Sequence, residues 1–144
     1  MKVKIKLKEG GRLPVYGTKD SAGCDLYANI EKSITLMPLE RVLVPTGVYL
    51  EIPEGYEGQV RPRSGLSLKK GLTVLNSPGT IDSDYRGEVG VILVNLSNYI
   101  QTVAPDTRIA QIVFAKYSKV DFIRTENLDD TERKAGGFGS TGLK

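Results

Sequence analysis

A period of two governs the start of the chain, where Lys2, Lys4, Lys6 and Lys8 alternate with Val3, Ile5 and Leu7. Successive side chains of a strand point to opposite faces, so the pattern predicts a half-buried β-strand over 3–7 with one wet face. Lysines on that face also discourage edge-to-edge pairing, a structural reason for them that stands against a nucleic-acid-binding one. Short β-forming runs recur at 24–28, 33–37, 41–44, 47–52, 59–63, 73–75, 89–95, 101–103, 108–114 and 119–123, with turn signals between them. Many short strands with closely spaced turns predict an antiparallel sandwich or barrel and not alternating βαβ units. The prolines fall at or near run ends, where a missing donor does least harm. Only 64–70 reads as helix, and Gly71 ends it. Between Val74-Leu75 and the apolar run 89–94 lies a polar loop, Asn76 to Glu88 (NSPGTIDSDYRGE), read as the tip of a hairpin whose legs are buried strands.

Composition narrows the chemistry. The 144 residues suit one domain, and 40% hydrophobic with 26% charged residues is an ordinary globular balance. No segment approaches a membrane span or the apolar block of a signal peptide, so the expectation is a cytoplasmic protein with no membrane partner. Histidine is absent, which removes Ser-His-Asp and Cys-His catalysis and histidine-ligated zinc. The single cysteine, Cys24, cannot form an internal disulfide and reads as a small buried hydrophobe. A net charge of +3 suits a small polyanion better than a long nucleic acid, so no nucleic-acid partner is expected.

Several familiar patterns fail in context. Residues 137–142 (GFGSTG) match the dinucleotide fingerprint, but no strand leads into them and no helix can follow. The run 82–87 opens like a calcium loop, with Arg86 at a ligand position and Leu93 where the closing glutamate belongs. Ser67 to Lys70 fits S-x-x-K without its partner motifs, and a Walker A pattern is missing.

What remains is a carboxylate, arginine and backbone-amide chemistry. Asp82 is the candidate base, able to orient and deprotonate water, although it and Asp84 can each also serve as a turn former. Tyr85 beside it can act as a wall that rejects a substrate by size. Arg63, Ser64 and Gly65 combine a guanidinium, a hydroxyl and unhindered amides, against the alternative of a surface charge and a helix N-cap. On a regular strand Arg108 and Ala110 share one face and Ile109 and Gln111 the other. Asp25 sits within an apolar run, where a turn or cap role is open. In the glycine-rich tail, Arg133 offers a donor fork for phosphate and Phe138 a ring for a nucleobase, or else an anchor that docks the tail in an apolar groove. Together these groups suggest water attacking phosphorus in a nucleotide, with magnesium neutralising the phosphates.

The residues resemble a family, the homotrimeric deoxyuridine triphosphate nucleotidohydrolases, or dUTPases. Five separated motifs match in order: Ala22 to Ala28 (AGCDLYA), Arg63 to Leu66 (RSGL), Asn76 to Glu88, Arg108 to Gln111 (RIAQ), and Arg133 to Gly142. The resemblance implies an all-β, distorted antiparallel jelly-roll subunit over 1–124, with a flexible glycine-rich arm and lid over 125–144, assembled as a homotrimer. It implies hydrolysis of dUTP to dUMP and pyrophosphate, which keeps uracil out of DNA and supplies dUMP for thymidylate synthesis. In that frame Asp82 activates the attacking water. Asn76, Thr80, Ile81 and Gly90 form the uracil slot, and Tyr85 packs under deoxyribose. Arg63, Ser64, Gly65 and Gln111 hold phosphates, and Asp25 orders waters around a Mg2+ carried mainly by the triphosphate. Phe138 stacks on uracil, while Arg133, Gly139 and Ser140 complete the lid. Lys134-Ala135 depart from the glycine-containing pair usual after the arginine. The alternatives are a dCTP deaminase of related fold and a non-catalytic trimeric nucleotide-binding module.

Overall fold

The computed structural model describes residues 1–138 and 140. Apolar side chains at alternate positions build two large antiparallel sheets around one buried cluster. The first sheet runs in the order β1 (Lys4–Leu7), β5 (Arg41–Glu51), β9 (Glu88–Asn95), β7 (Leu72–Val74). The second runs β2 (Val15–Tyr16), β3 (Cys24–Tyr27), β11 (Arg108–Lys116), β6 (Tyr56–Arg61), β8 (Gly79–Ile81). A small sheet pairs β10 (Gln101–Val103) with β4 (Ile34–Leu36). Val44, Val48, Val89, Val91 and Leu93 from the first sheet meet Leu26, Val60 and Ile112 from the second and Leu36 and Val103 from the third. Burial of these side chains is worth roughly 1.5–3 kcal/mol each; the result is the antiparallel all-β sandwich that the strand pattern predicts, and it agrees with the jelly roll that the resemblance implies.

The single helix, α1 (Ser64–Lys70), is closed by Gly71 in the left-handed region at φ 63°, where its N–H donates to Ser67 O. Arg63, not Ser64, occupies the N-cap position, and no side chain caps the helix, so the Ser64 hydroxyl is not consumed there.

Three departures from the sequence reading have physical causes. The runs 41–44 and 47–52 are one strand, β5, and Pro45 lies inside it: the register with β9 shifts between Pro45 and Tyr49, and this irregularity accommodates the missing donor. Residues 119–123 form no strand, for pairing of β11 with β6 ends at Lys116 and Tyr56 and no described strand takes up the chain beyond it; Phe122 and Ile123 stand exposed. The expected hairpin of 73–75 with 89–95 is real, with Val74 opposite Leu93, yet the polar loop between its legs is no simple tip. It crosses to the second sheet, where Gly79–Ile81 adds β8 to the edge of β6.

Candidate functional site

One half of the site forms where β3, β11 and the turn into α1 converge. Asp25 on β3 accepts from Arg63 Nε at 2.8 Å and Arg108 Nη1 at 3.2 Å, and Arg63 Nη1 also donates to Arg108 O at 3.2 Å. Gln111 donates through Nε2 to Pro62 O at 3.0 Å, tying β11 to the same turn. Gly23 makes the amide's position possible, since a Cβ there would overlap Gln111 Oε1 and come within 3.1 Å of Cδ. The cleft, of about 400 Å³, is lined by Gly23, Asp25, Arg63, Ser64, Gly65 and Gln111, together with Arg61 and Arg108.

Regular alternation separates Arg108 from Gln111, and the structure corrects that expectation. A bulge in β11 sets Arg108 opposite Tyr27 but Ala110 opposite Leu26, so β11 spends an extra residue there. Ile109 and Ala110 are both buried, and Arg108 and Gln111 both reach the cleft. Arg61 carries no motif signal beyond its place two residues before Arg63; its guanidinium is held by Gln59 Oε1 and lines the cleft wall.

The other half forms on the crossing loop. Thr80, Ile81, Asp82, Tyr85 and Gly90 line a cavity of about 280 Å³ with Leu43, Glu88 and Ile92. Leu43 is 63% exposed and lies so close to Gly90 that a Cβ there would come within 2.6 Å of its Cδ1. It lies in the β-forming run 41–44, and nothing in the sequence marks it as lining. Asn76 is exposed and is not among the lining residues, although its Nδ2 lies beside Gly79.

This loop is rigidly braced. Thr46 Oγ1 donates to Val89 O at 2.5 Å, and the Glu88 carboxylate accepts from Gly47 N at 2.7 Å and Tyr49 Oη at 3.4 Å. Tyr85 N donates to Asp82 O, Tyr85 Oη to Glu88 O at 3.1 Å, and Arg86 Nη1 to Ser83 O and Tyr85 O. Among the described residues no donor meets the Asp82 carboxylate, which is exposed and open to water; Asp84 is likewise exposed.

Within one chain the two halves do not meet. The β6–β8 register pairs Gly58 with Ile81, so Asp82 continues opposite Glu57, and Arg63 lies six residues farther along an extended chain, about 20 Å at ~3.3 Å per residue. Among the described residues the tail joins neither half. Arg133 Nε donates to Gly136 O, Ser140 N to Gly137 O, and Phe138 is fully exposed, without the apolar groove that would dock it. Gly139 lies outside the described residues. Among the described residues no group of three His, Cys, Asp or Glu side chains could hold a metal ion, and both Asp25 oxygens already face guanidinium groups. Cys24, next to Asp25, is buried, and burial pushes its thiol up; a hydrogen bond with Tyr16 partly offsets this, and the Asp25 charge adds to it.

A family model described as dUTPase matches residues 9–142. The deoxyuridine 5'-triphosphate nucleotidohydrolase of Fusobacterium nucleatum is 58% identical over 142 residues, covering 99% of this chain and 97% of that protein. That of Finegoldia magna is 56% identical over 142 residues, covering 99% of each. Among solved structures, the Staphylococcus bacteriophage 80alpha dUTPase with dUPNHPP superposes with a TM-score of 0.90 at 27% identity, covering 99% of each chain.

Proposed function

Because the chain belongs to the dUTPase family and is a dUTP diphosphatase, hydrolysing dUTP to dUMP and pyrophosphate, we propose that it does so with Asp82 as general base, in sites shared between the subunits of a homotrimer. The observation that carries the shared site is the separation of about 20 Å between Asp82 and Arg63 of one chain. A nucleophile must approach to ~3–3.5 Å of the reacting atom. Phosphates gripped at Arg63 place the α-phosphorus far from a water on the same chain's Asp82, and a neighbour's Asp82 closes the gap.

Asp82 takes a proton from water as its oxygen forms a bond to the α-phosphorus, and the bond from that phosphorus to the bridging oxygen breaks to release pyrophosphate. Arg63, Ser64, Gly65 and Gln111 hold the phosphates, and Asp25 fixes the fork of Arg63 by the ion pair at 2.8 Å. Thr80, Ile81, Gly90 and Asn76 shape the uracil slot, while Tyr85 packs under the sugar. Arg133, Phe138, Gly139 and Ser140, on an arm and lid spanning 125–144 beyond the jelly-roll core of 1–124, close the site over the nucleotide. The absence of a described carboxylate cluster fits a magnesium ion bound chiefly by substrate phosphates, as is usual for this hard cation, with Asp25 reaching it through water. When bound, Mg2+ neutralises phosphate charge. The proposed setting is the cytoplasm, in support of a low dUTP level and a dUMP supply; among the described residues no helix is long and apolar enough to cross a membrane.

The test is product analysis with magnesium and, separately, dUTP, dCTP, dTTP and UTP. Formation of dUMP and pyrophosphate from dUTP alone is expected, and Asp82→Asn should lower kcat by about 10²–10⁴-fold with KM nearly unchanged. Ammonia released from dCTP, or wild-type turnover by the Asn variant, refutes this assignment.

A further inference from the structure

Tyr85 owes its pose to the residue two positions on. A Cβ built at Gly87 would overlap Tyr85 Oη and Cζ and lie 2.8 Å from Cε2, so the ring rests directly against the glycine backbone. Its hydroxyl is pinned to Glu88 O at 3.1 Å, and Glu88 is itself anchored to β5 through Gly47 N and Tyr49 Oη. The ring is therefore held at its tip and along its edge, and cannot withdraw from an added methyl without breaking the hydroxyl contact. Gly87 is not among the glycines with positive φ, so its backbone is open to an L-residue. Conformational freedom does not require glycine here; the space taken by the Tyr85 ring does.

We propose that Gly87 is a positioning residue for Tyr85 and, through it, a determinant of deoxyribose over ribose. The inference rests on Tyr85 serving as the wall against the sugar. A 2′-hydroxyl adds one oxygen, and an apolar surface rejects so small a difference only when its position is fixed. Moving the ring by the width of a methyl group removes the discrimination without removing the ring.

The experiment compares kcat/KM for dUTP and UTP in wild type, Gly87→Ala, Tyr85→Ala and the double variant, with thermal unfolding of each. Gly87→Ala should unfold at or slightly below the wild-type temperature, because the lost Tyr85 hydroxyl contact offsets what alanine gains by restricting the unfolded chain. Its dUTP-over-UTP preference should fall about tenfold or more, and the double variant should discriminate no worse than Tyr85→Ala alone, as expected of two residues acting through one contact. A Gly87→Ala enzyme that keeps the wild-type preference while Tyr85→Ala loses it overturns the role of Gly87 and leaves that of Tyr85. Equal losses on both nucleotides, with the preference intact, also overturn it. If Tyr85→Ala keeps the preference, the wall reading falls and this inference with it. Should the single variant unfold, the double variant decides: recovered folding supports the contact, and continued unfolding refutes it.

Discussion

Two inactive variants of this enzyme should restore each other when mixed. The β6–β8 register sets Asp82 of a chain about 20 Å from its own Arg63, so in the proposed homotrimer the base would come from one subunit and the phosphate clamp from another. Asp82→Asn removes the base but leaves Asp25, Arg63 and Arg108 untouched, while Arg63→Ala removes the clamp and leaves the braced loop. Neither homotrimer should turn over at a rate near wild type. In a closed ring assembled at random from equal amounts of both, each site has an even chance of drawing an intact Asp82 and an even chance of drawing an intact Arg63, so about one quarter of sites are complete. The assay is pyrophosphate release from dUTP after the variants are denatured together and refolded, against the same proteins refolded apart. Light scattering of the mixture should give the mass of three subunits. Recovery near one quarter of wild-type activity supports the shared site. Activity no greater than the sum of the separate parents would falsify it, because a site confined to one chain cannot be rebuilt from chains that each lack a component.

Two further outcomes follow from groups beside the cleft. Asp25→Asn leaves the guanidinium groups of Arg63 and Arg108 facing an uncharged amide; Asp25 is 15% exposed and Arg63 27%, but Arg108 is 54% exposed and solvent screens its share. The loss expected lies between that of a surface and a buried pair, about 1–2 kcal/mol in urea unfolding, and an unchanged midpoint would show that the pair is not formed in solution. Cys24, held protonated by burial, should resist an aromatic disulfide reagent in the native protein at neutral pH and react once urea exposes it. Because its folded value is raised, the stability tied to this thiol is complete below the unfolded thiol's ~8.5 and is lost as pH rises through the higher folded value. Rapid native labelling at neutral pH contradicts that burial.

Much of the fold was legible because burial follows a period of two in β3, β6 and β7, although β1, expected to be half-buried, is exposed at all four positions. The run 89–95 is a buried strand, as its unbroken apolar stretch predicts, and α1 covers 64–70 and ends at Gly71 as read. The short strands β2 and β8 were not legible: two or three residues carry no period, and pairing with β3 and β6 alone makes them strands. The segment 119–123 failed in the opposite sense, since alternation is necessary for a half-buried strand but does not supply a partner. The position of Arg108 was misread because one bulge residue reverses every facing downstream, and a bulge leaves no local mark in composition.

The site was legible as a set of residues and illegible as a geometry. Asp25, Arg63 and Gln111 lie far apart in the chain and meet because β3 and β6 flank β11. Gly23 and Gly87 look like turn residues in a string of letters, yet each is there because another side chain, Gln111 or Tyr85, occupies the place of its Cβ. The division of the site follows from topology. Both legs of the 76–88 loop belong to the first sheet, but β8 within it is the edge of the second. Asp82 is thereby fixed at the end of an edge strand, remote from the clamp at the opposite end of β6. A single side chain on a loop so braced cannot swing about 20 Å along the sheet to phosphates on its own chain, and this distance is what favours the proposed site in which another subunit presents the substrate.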